Sequence, residues 1–296
     1  MIIHTPVLLK EVLDFMPANP KIIVDGTLGH GGHTLAMLEK LYPTPSTLIG
    51  LDVDEKMLKK AQERISAFLD RDPRPATLVH DSYANIQKIL EHRKADYILL
   101  DLWVNLEHFK DGTRGFSIKE NADLDMRFDQ DAKHSAYDII NTYKLPDLMH
   151  MFITYGDFTE KKAKELGETI IRERAKHQIK TTYDFKKILN ACGLGDKACA
   201  VIFQCLRIET NQEIQNIKVF LEQLPQVLSK KGRCAIISYH SIEDRLVKTY
   251  FKQLEEWWQF TILTPKTIQP HYTEVQKNKA ARSAKLRVIE HTTDNG

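Results

Sequence analysis

Acidic residues close the apolar runs that open this chain. The runs IIVD, TLIGLD and ADYILLD end at Asp25, Asp52 and Asp101, and the run ATLVH passes directly into Asp81. Between the first two runs lies DGTLGHGGHT at positions 25–34, in which Gly29, Gly31 and Gly32 surround His30 and His33. A glycine turn that opens a helix offers backbone N–H groups and a helix N-terminus to an anionic or nucleotide-like ligand. A carboxylate about twenty residues further on, here Asp52, is placed to accept from a ribose diol. Carboxylates at neighbouring strand ends would draw cationic groups to the same edge. Together these residues spell ligand-binding and positioning chemistry.

The turn departs from two common cradles. A dinucleotide fingerprint reads GxGxxG, but Thr34 stands at the third glycine position, and no GK[ST] follows for a nucleoside triphosphate. A looser glycine turn with acids after several strands suits S-adenosylmethionine. Asp52 would take its ribose, the segment from Asp81 to Tyr83 would meet its adenine, and Asp25 and Asp101 would face its sulfonium and amino groups. A tight turn with no ligand is the alternative. His30 and His33 have the spacing of a metal pair, but no third ligand accompanies them, so no metal is expected and capping or cofactor contact is preferred. The run Ser238-Tyr239-His240-Ser241-Ile242-Glu243-Asp244-Arg245 offers His240 as a base or phosphate contact. It also reads as a helix start capped by Ser241, with Asp244 and Arg245 pairing locally. Residues 277–287, KNKAARSAKLR, hold five basic side chains and no acid. They read either as a phosphate-binding strip or as a solvated run.

The elements that must position these groups alternate. Strands at 22–25, 47–52, 76–80 and 95–100 are separated by helical patterns near 34–41, 55–68 and 86–91. This β-α alternation predicts a parallel, doubly wound sheet whose ligands lie beyond the strands' carboxyl ends. Residues 103–132 are irregular and rich in Gly, Asp and Asn, whereas 135–208 are helical throughout. An amphipathic helix then carries Ile214, Ile217, Leu221, Leu224 and Leu228 at helical spacing. A turn at 230–233 and a strand at 234–238 follow. A helical lobe inserted into an α/β domain fits this order, with the α/β domain at 1–112 and 209–296 and the inserted domain at 113–208.

The 296 residues carry a net charge of +2, too small to identify a partner. The four cysteines form no CxxC pair, so reduced thiols and a cytoplasmic location are expected. The N-terminal segment lacks a signal-peptide pattern, and no window is apolar enough to span a bilayer. A protein without membrane association is expected.

Taken together, these segments resemble one family, the bacterial 16S rRNA cytosine-N4 methyltransferases known as MraW or RsmH. The resemblance runs from HTPVLL at 4–9 to ARSAKLR at 281–287. It includes DGTLGHGGHT at 25–34, RGFS at 114–117, LDMRFD at 124–129, FQCLRIETNQE at 203–213 and SYHSIEDRLVK at 238–248. It implies a Rossmann-like methyltransferase sheet with an inserted, mainly helical, substrate-binding domain. The cofactor implied is S-adenosylmethionine, and the activity is methylation of the N4 amine of a cytidine in the decoding centre of 16S rRNA. Family cofactor contacts fall on Gly31, Gly32, His33, Asp52, Tyr83 and Asp101, and a further contact, normally glutamine, falls on His108. After Asp101 the family reads Leu-Gly-Val-Ser-Ser-Pro-Gln, where this chain has Leu102-Trp103-Val104-Asn105-Leu106-Glu107-His108. Tryptophan thus replaces a glycine, and both serines are lost.

Cytosine N4 is a poor nucleophile because its lone pair is delocalised, so an acceptor that orients the amine and takes a proton would help. Asp101 is the first candidate, Asn105 a polar orienter in place of a lost serine, and His240 a base or phosphate contact. A flipped cytidine would stack on Trp103 or Phe116. The expected partner is 16S rRNA within the small subunit, and a homodimer is compatible with the sequence. The competing reading, drawn from Trp103 and the lost serines, is a homologue that binds cofactor or rRNA without transfer and serves ribosome assembly.

Overall fold

The computed structural model describes residues 6–72, 74–104, 112–257 and 259–292. The chain divides into two compact units, Met1–Trp103 with Ile214–Gly296, and Val104–Glu213.

The first unit begins with helix α1 (Leu9–Phe15) and continues through β1 (Ile22–Asp25), α2 (Gly32–Leu41), β2 (Thr47–Asp52), α3 (Glu55–Leu69), β3 (Ala76–His80), α4 (Ile86–Leu90) and β4 (Ala95–Asp101). The second unit supplies α5 (Ala136–Thr142), α6 (Leu145–Gly156), α7 (Glu160–Arg174), α8 (Thr182–Ala191) and α9 (Asp196–Thr210). Helix α10 (Glu213–Val227) leads back to the first unit, followed by β5 (Leu228–Ser238), α11 (Ser241–Trp257), β6 (Phe260–Ile262), α12 (Tyr272–Lys277) and β7 (Lys285–His291).

The sheet has seven strands in the order β3-β2-β1-β4-β5-β7-β6. Strands β1 to β5 are parallel, and β7 runs antiparallel to both β5 and β6. The order reverses between β1 and β4, and such a switch point opens a crevice at the carboxyl ends of the strands. This is the expected Rossmann-like, doubly wound architecture.

Alternation along β4 shows how sequence builds the two faces. Successive side chains of a strand point to opposite sides. Ile98 and Leu100 therefore join Phe220, Leu221 and Leu224 of α10 and Phe251 of α11 in one core. Tyr97 and Leu99 join Val12, Met37 and Leu41 from α1 and α2 in the other. Burying each such side chain contributes roughly 1.5–3 kcal/mol. Covered on both faces, β4 reads as the near-continuous apolar run of a central parallel strand.

One local expectation is corrected. The run Lys230-Lys231-Gly232-Arg233 is not a turn ahead of a strand but lies inside β5. Leu228 stands opposite Ala95 and Arg233 opposite Tyr97, so residues 229–232 bulge out against Asp96 alone before pairing with β4 resumes. Lys231 absorbs the excursion at φ 62°.

The second unit is helical around a core that includes Leu148, Phe152, Phe185, Phe203 and Leu206. Ser135 with Asp138 and Thr181 with Asp184 form capping boxes at the starts of α5 and α8. The irregular segment ahead of α5 is tied down by three of the motifs. Arg114 Nη2 donates to the carbonyls of Arg127 and Phe128, and Met126 N donates to Arg114 O at 2.9 Å. Asn211, just past α9, accepts from Phe128 N at 2.7 Å and donates to Met126 O at 2.8 Å. RGFS, LDMRFD and RIETNQE thus hold one another within this unit.

All four cysteines are unpaired. Burial pushes the Cys205 thiol up to about 12. No helix among the described residues is long and apolar enough to cross a membrane.

Candidate functional site at the carboxyl edge of the sheet

The glycine turn links β1 to α2. Asp25 is buried at its base, with Thr34 Oγ1 donating to Oδ2 at 2.6 Å and Thr27 N to Oδ1 at 3.3 Å. Burial raises its carboxyl above the usual range, and the Thr34 bond only partly offsets this. Asp25 therefore pins the turn.

The three glycines have different jobs. Gly29 N donates to Asp52 Oδ2 at 2.8 Å, and at Gly29 (φ +51°) a Cβ would meet nothing nearer than Thr27 O at 3.9 Å. Gly31 is the left-handed N-cap of α2 at φ +71°, where a Cβ would come within 3.3 Å of Ala61 Cβ on α3. At Gly32 a Cβ would stand 2.8 Å from Pro6 Cγ. Gly31 and Gly32 are thus required by backbone conformation and packing, while Gly29 borders Asp52. A Gly31→Ala variant is expected to lose about 1–2 kcal/mol for the left-handed conformation alone, read by urea unfolding.

Asp52 ends β2 and is held from two sides, by Gly29 N on Oδ2 and by Asp54 N on Oδ1 at 2.8 Å. Burial outweighs these bonds and pushes its carboxyl up to about 6. Beyond β3, Asp81 accepts from Ser82 N at 2.7 Å and from Asn85 Nδ2 at 2.6 Å. Tyr83 packs edge-on to Phe220, with ring centroids 5.9 Å apart. Its Cβ lies 3.2 Å from where a Cβ on Gly26 would be, so the start of its side chain abuts the end of β1.

Asp101 ends β4 and is the best-connected residue of the edge. Its backbone N donates to Thr27 Oγ1 at 2.6 Å, which ties β4 to the glycine turn. Its Oδ1 accepts from Tyr239 Oη at 2.9 Å and Trp103 N at 3.3 Å. His33 Nδ1 lies 3.7 Å from Oδ2, while His33 Nε2 is 2.9 Å from Val7 O. A carbonyl only accepts, so Nε2 carries a hydrogen. Burial, then the neighbouring Asp101 charge, pushes the Tyr239 phenol well above its usual value. It therefore stays protonated and donates. The Trp103 ring packs against Tyr239 at 4.7 Å and 56°, and its Nε1 is buried without a hydrogen-bond partner among the described residues.

The structure thus brings His33 Nδ1 to 3.7 Å from Asp101, and links Asp52 to the same turn through Gly29. Tyr239 is the residue of the SYHSIEDR run whose side chain bonds Asp101, a role that sequence reasoning did not give it. Its amide and that of His240 donate to Glu243 Oε2 at 2.8 and 3.0 Å, so Glu243 rather than Ser241 secures the start of α11. Asn105 and His108 lie outside the described residues.

Three further expectations are revised. Asp244 pairs not with Arg245 but with Arg287 at 2.7 Å and Lys285 at 3.3 Å. Burial pushes its carboxyl up, but these cations outweigh burial and hold it below the usual range. Arg287 is thereby committed inward, while Lys285, a third exposed, shares the same carboxylate. Phe116 is buried and stacked on Phe128 at 5.5 Å and 11°, which removes it as a platform for a flipped base.

The chain was compared with known proteins. A family model described as the MraW methylase family matches residues 1–292. A ribosomal RNA small subunit methyltransferase H from Sulfurihydrogenibium sp. is 39% identical over 298 residues, covering 97% of this chain and 99% of its own. The protein of the same name from Coprothermobacter proteolyticus is 36% identical over 294 residues, covering 97% and 95%. Among solved structures, an rRNA methylase from Streptococcus thermophilus aligns over 99% of both chains, with 14% identity and a TM-score of 0.46.

Proposed function

The chain belongs to the MraW methylase family, and from that membership we propose that it moves a methyl group from S-adenosylmethionine to the N4 amine of a cytidine in the decoding centre of 16S rRNA. The observation that carries this reading is Asp101, held at the end of β4 by Tyr239 and Thr27.

The residues present fit the cofactor. A carboxylate oriented by two amides, Asp52, suits a ribose diol, and Gly29 beside it carries no side chain to obstruct an approach. Tyr83 offers an aromatic wall, and Asp101 supplies negative charge for a cationic ligand. When bound, S-adenosylmethionine supplies a sulfonium methyl carbon, whose C–S bond breaks as the N4–C bond forms.

The protein's own part is positioning. Asp101 accepts a hydrogen bond from the target amine, which turns the nitrogen lone pair toward the methyl carbon, and receives the proton that N4 must lose. Tyr239, kept protonated, fixes the rotation of that carboxylate. His33, buried between Val7 O and Asp101, sets the opposite side. The target base leaves its stack to reach this edge, with Trp103 beside Asp101 as its platform. His240 is assigned to RNA phosphate and Asn105 to orienting the amine.

The test is methyl transfer to small ribosomal subunits that lack the modification, with the modified nucleotide mapped. Transfer to a decoding-centre cytidine N4 is expected. Cofactor binding with no transfer would replace this reading with that of a non-catalytic assembly factor.

A pH dependence follows from Asp52. Its raised value means that the folded protein holds this proton up to about pH 6. Burying the carboxylate therefore lowers stability as pH rises from 3.8 through about 6. A ribose-binding role needs the ionised form. S-Adenosylmethionine affinity measured by calorimetry is expected to weaken as pH falls below about 6, and Asp52→Asn should flatten that profile.

A further inference from the structure

Residues 265–284 form an exposed surface of one sign. Lys266, Lys277, Lys279 and Arg282 are exposed, and Tyr272 is 70% exposed. None of these four cations has a carboxylate partner among the described residues. The one acid of the segment, Glu274, is turned inward, where its Oε1 accepts from Leu8 N at 2.8 Å. The basic run is thus sorted by the fold, with Lys285 and Arg287 spent on Asp244 and Lys277, Lys279 and Arg282 left to solvent.

The surface is built, not a loose run. Asn278 caps the turn at Lys279–Ser283 by accepting from Ala280 N at 3.1 Å. Ala281 and Ala284 are buried in the same apolar cluster as Tyr239 and Trp103. Its place on the sheet follows from register. Asp101 stands opposite Ile237, Ile237 opposite Leu286, and Ser238 opposite Lys285. The turn before Lys285 therefore lies at the carboxyl edge, two strands across from Asp101, or about 10 Å at the usual strand spacing.

We infer that this surface docks single-stranded RNA flanking the target nucleotide, with Lys277, Lys279 and Arg282 on backbone phosphates and Tyr272 under an unstacked base. Unpartnered cations beside the reaction edge fit a polyanion that must pass that edge. An exposed ring among them fits a base, whose π-face stacks on an aromatic side chain. An acidic protein would use the charges but not the ring. The inference rests on RNA being the substrate.

The test uses fluorescence anisotropy with the full chain and a labelled single-stranded RNA spanning the target cytidine, across a salt series. The Lys277→Ala/Lys279→Ala/Arg282→Ala variant is expected to bind more weakly, with the slope of log affinity against log salt reduced by about 2. Tyr272→Ala should lose roughly tenfold in affinity with the slope unchanged. S-Adenosylmethionine binding and unfolding curves should match the parent in both, and arginine at 277 and 279 should preserve the slope. A triple variant with parental slope and affinity, in a protein that still methylates RNA, overturns the docking surface and leaves the proposed function standing. If the variants weaken RNA binding as expected but the parent methylates no cytidine, the surface stands and the proposed function falls.

Discussion

Asparagine at position 101 is expected to lower methyl transfer by about 10²–10⁴-fold, the range contributed by a positioned proton acceptor. The substitution is close to isosteric and spares the fold. An asparagine Oδ1 still accepts from Tyr239 Oη and Trp103 N, which hold the side chain now at 2.9 and 3.3 Å. What disappears is the second acceptor oxygen and the charge that receives the amine proton. Single-turnover transfer with saturating cofactor isolates this step from binding. A variant that transferred at the parental rate with unchanged cofactor affinity would remove Asp101 from the chemistry. Tyr239→Phe tests positioning separately. It leaves the carboxylate in place but frees its rotation, so kcat should fall by less than in the asparagine variant, with KM for RNA little changed.

The largest effect on stability is expected at Arg207. Its Nε and Nη2 donate to the two oxygens of Glu213 at 2.8 and 3.1 Å, and the side chains are only 7% and 13% exposed. Such fork-to-carboxylate pairing is the strong form of a charged hydrogen bond. Removing one partner strands the other charge in a poorly solvated place. Arg207→Met should therefore cost about 3–5 kcal/mol in chemical denaturation. The double variant Arg207→Met/Glu213→Leu should recover most of that loss, because replacing both members of a buried pair by apolar groups is often near neutral. A double variant as unstable as the single one would show that the pair does more than neutralise itself.

Strands β1 to β4 were legible in the sequence because each couples a β-rich apolar run to a closing acid or turn, and those signals are local. The sorting of β4 side chains between two buried faces follows from period-2 alternation. Where tertiary pairing overrides local chemistry, reading failed. Lys230, Lys231 and Gly232 look like a turn ahead of a strand, yet they bulge out of one, because β4 pairs with β5 on both sides of them, at Leu228 and again from Arg233. Tyr239 escaped notice for the same reason, as its partner Asp101 lies 138 residues away. Composition also could not divide the basic run. Lys285 and Arg287 sit two apart on β7 and share a face, so both reach Asp244 on α11. Lys279 and Arg282 lie on the preceding turn and do not. The second joint of the helical unit falls at 213 rather than 208, as Arg207 and Glu213 pair across the end of α9 and keep 209–213 with the helices.

The place of β7 bears on how the protein comes to exist. This strand is last in sequence but lies between β5 and β6, and β6 has no other neighbour in the sheet. A chain emerging from the ribosome can assemble β1 to β5 and complete the helical unit, whose contacts are contiguous in sequence. It cannot seat β6 until residues 285–291 have been synthesised. The site edge also waits on this step, because β7 brings the cations that neutralise Asp244 at the start of α11, the helix that follows Tyr239. A nascent chain stalled just before β7 would therefore hold most of its core yet lack a finished working edge.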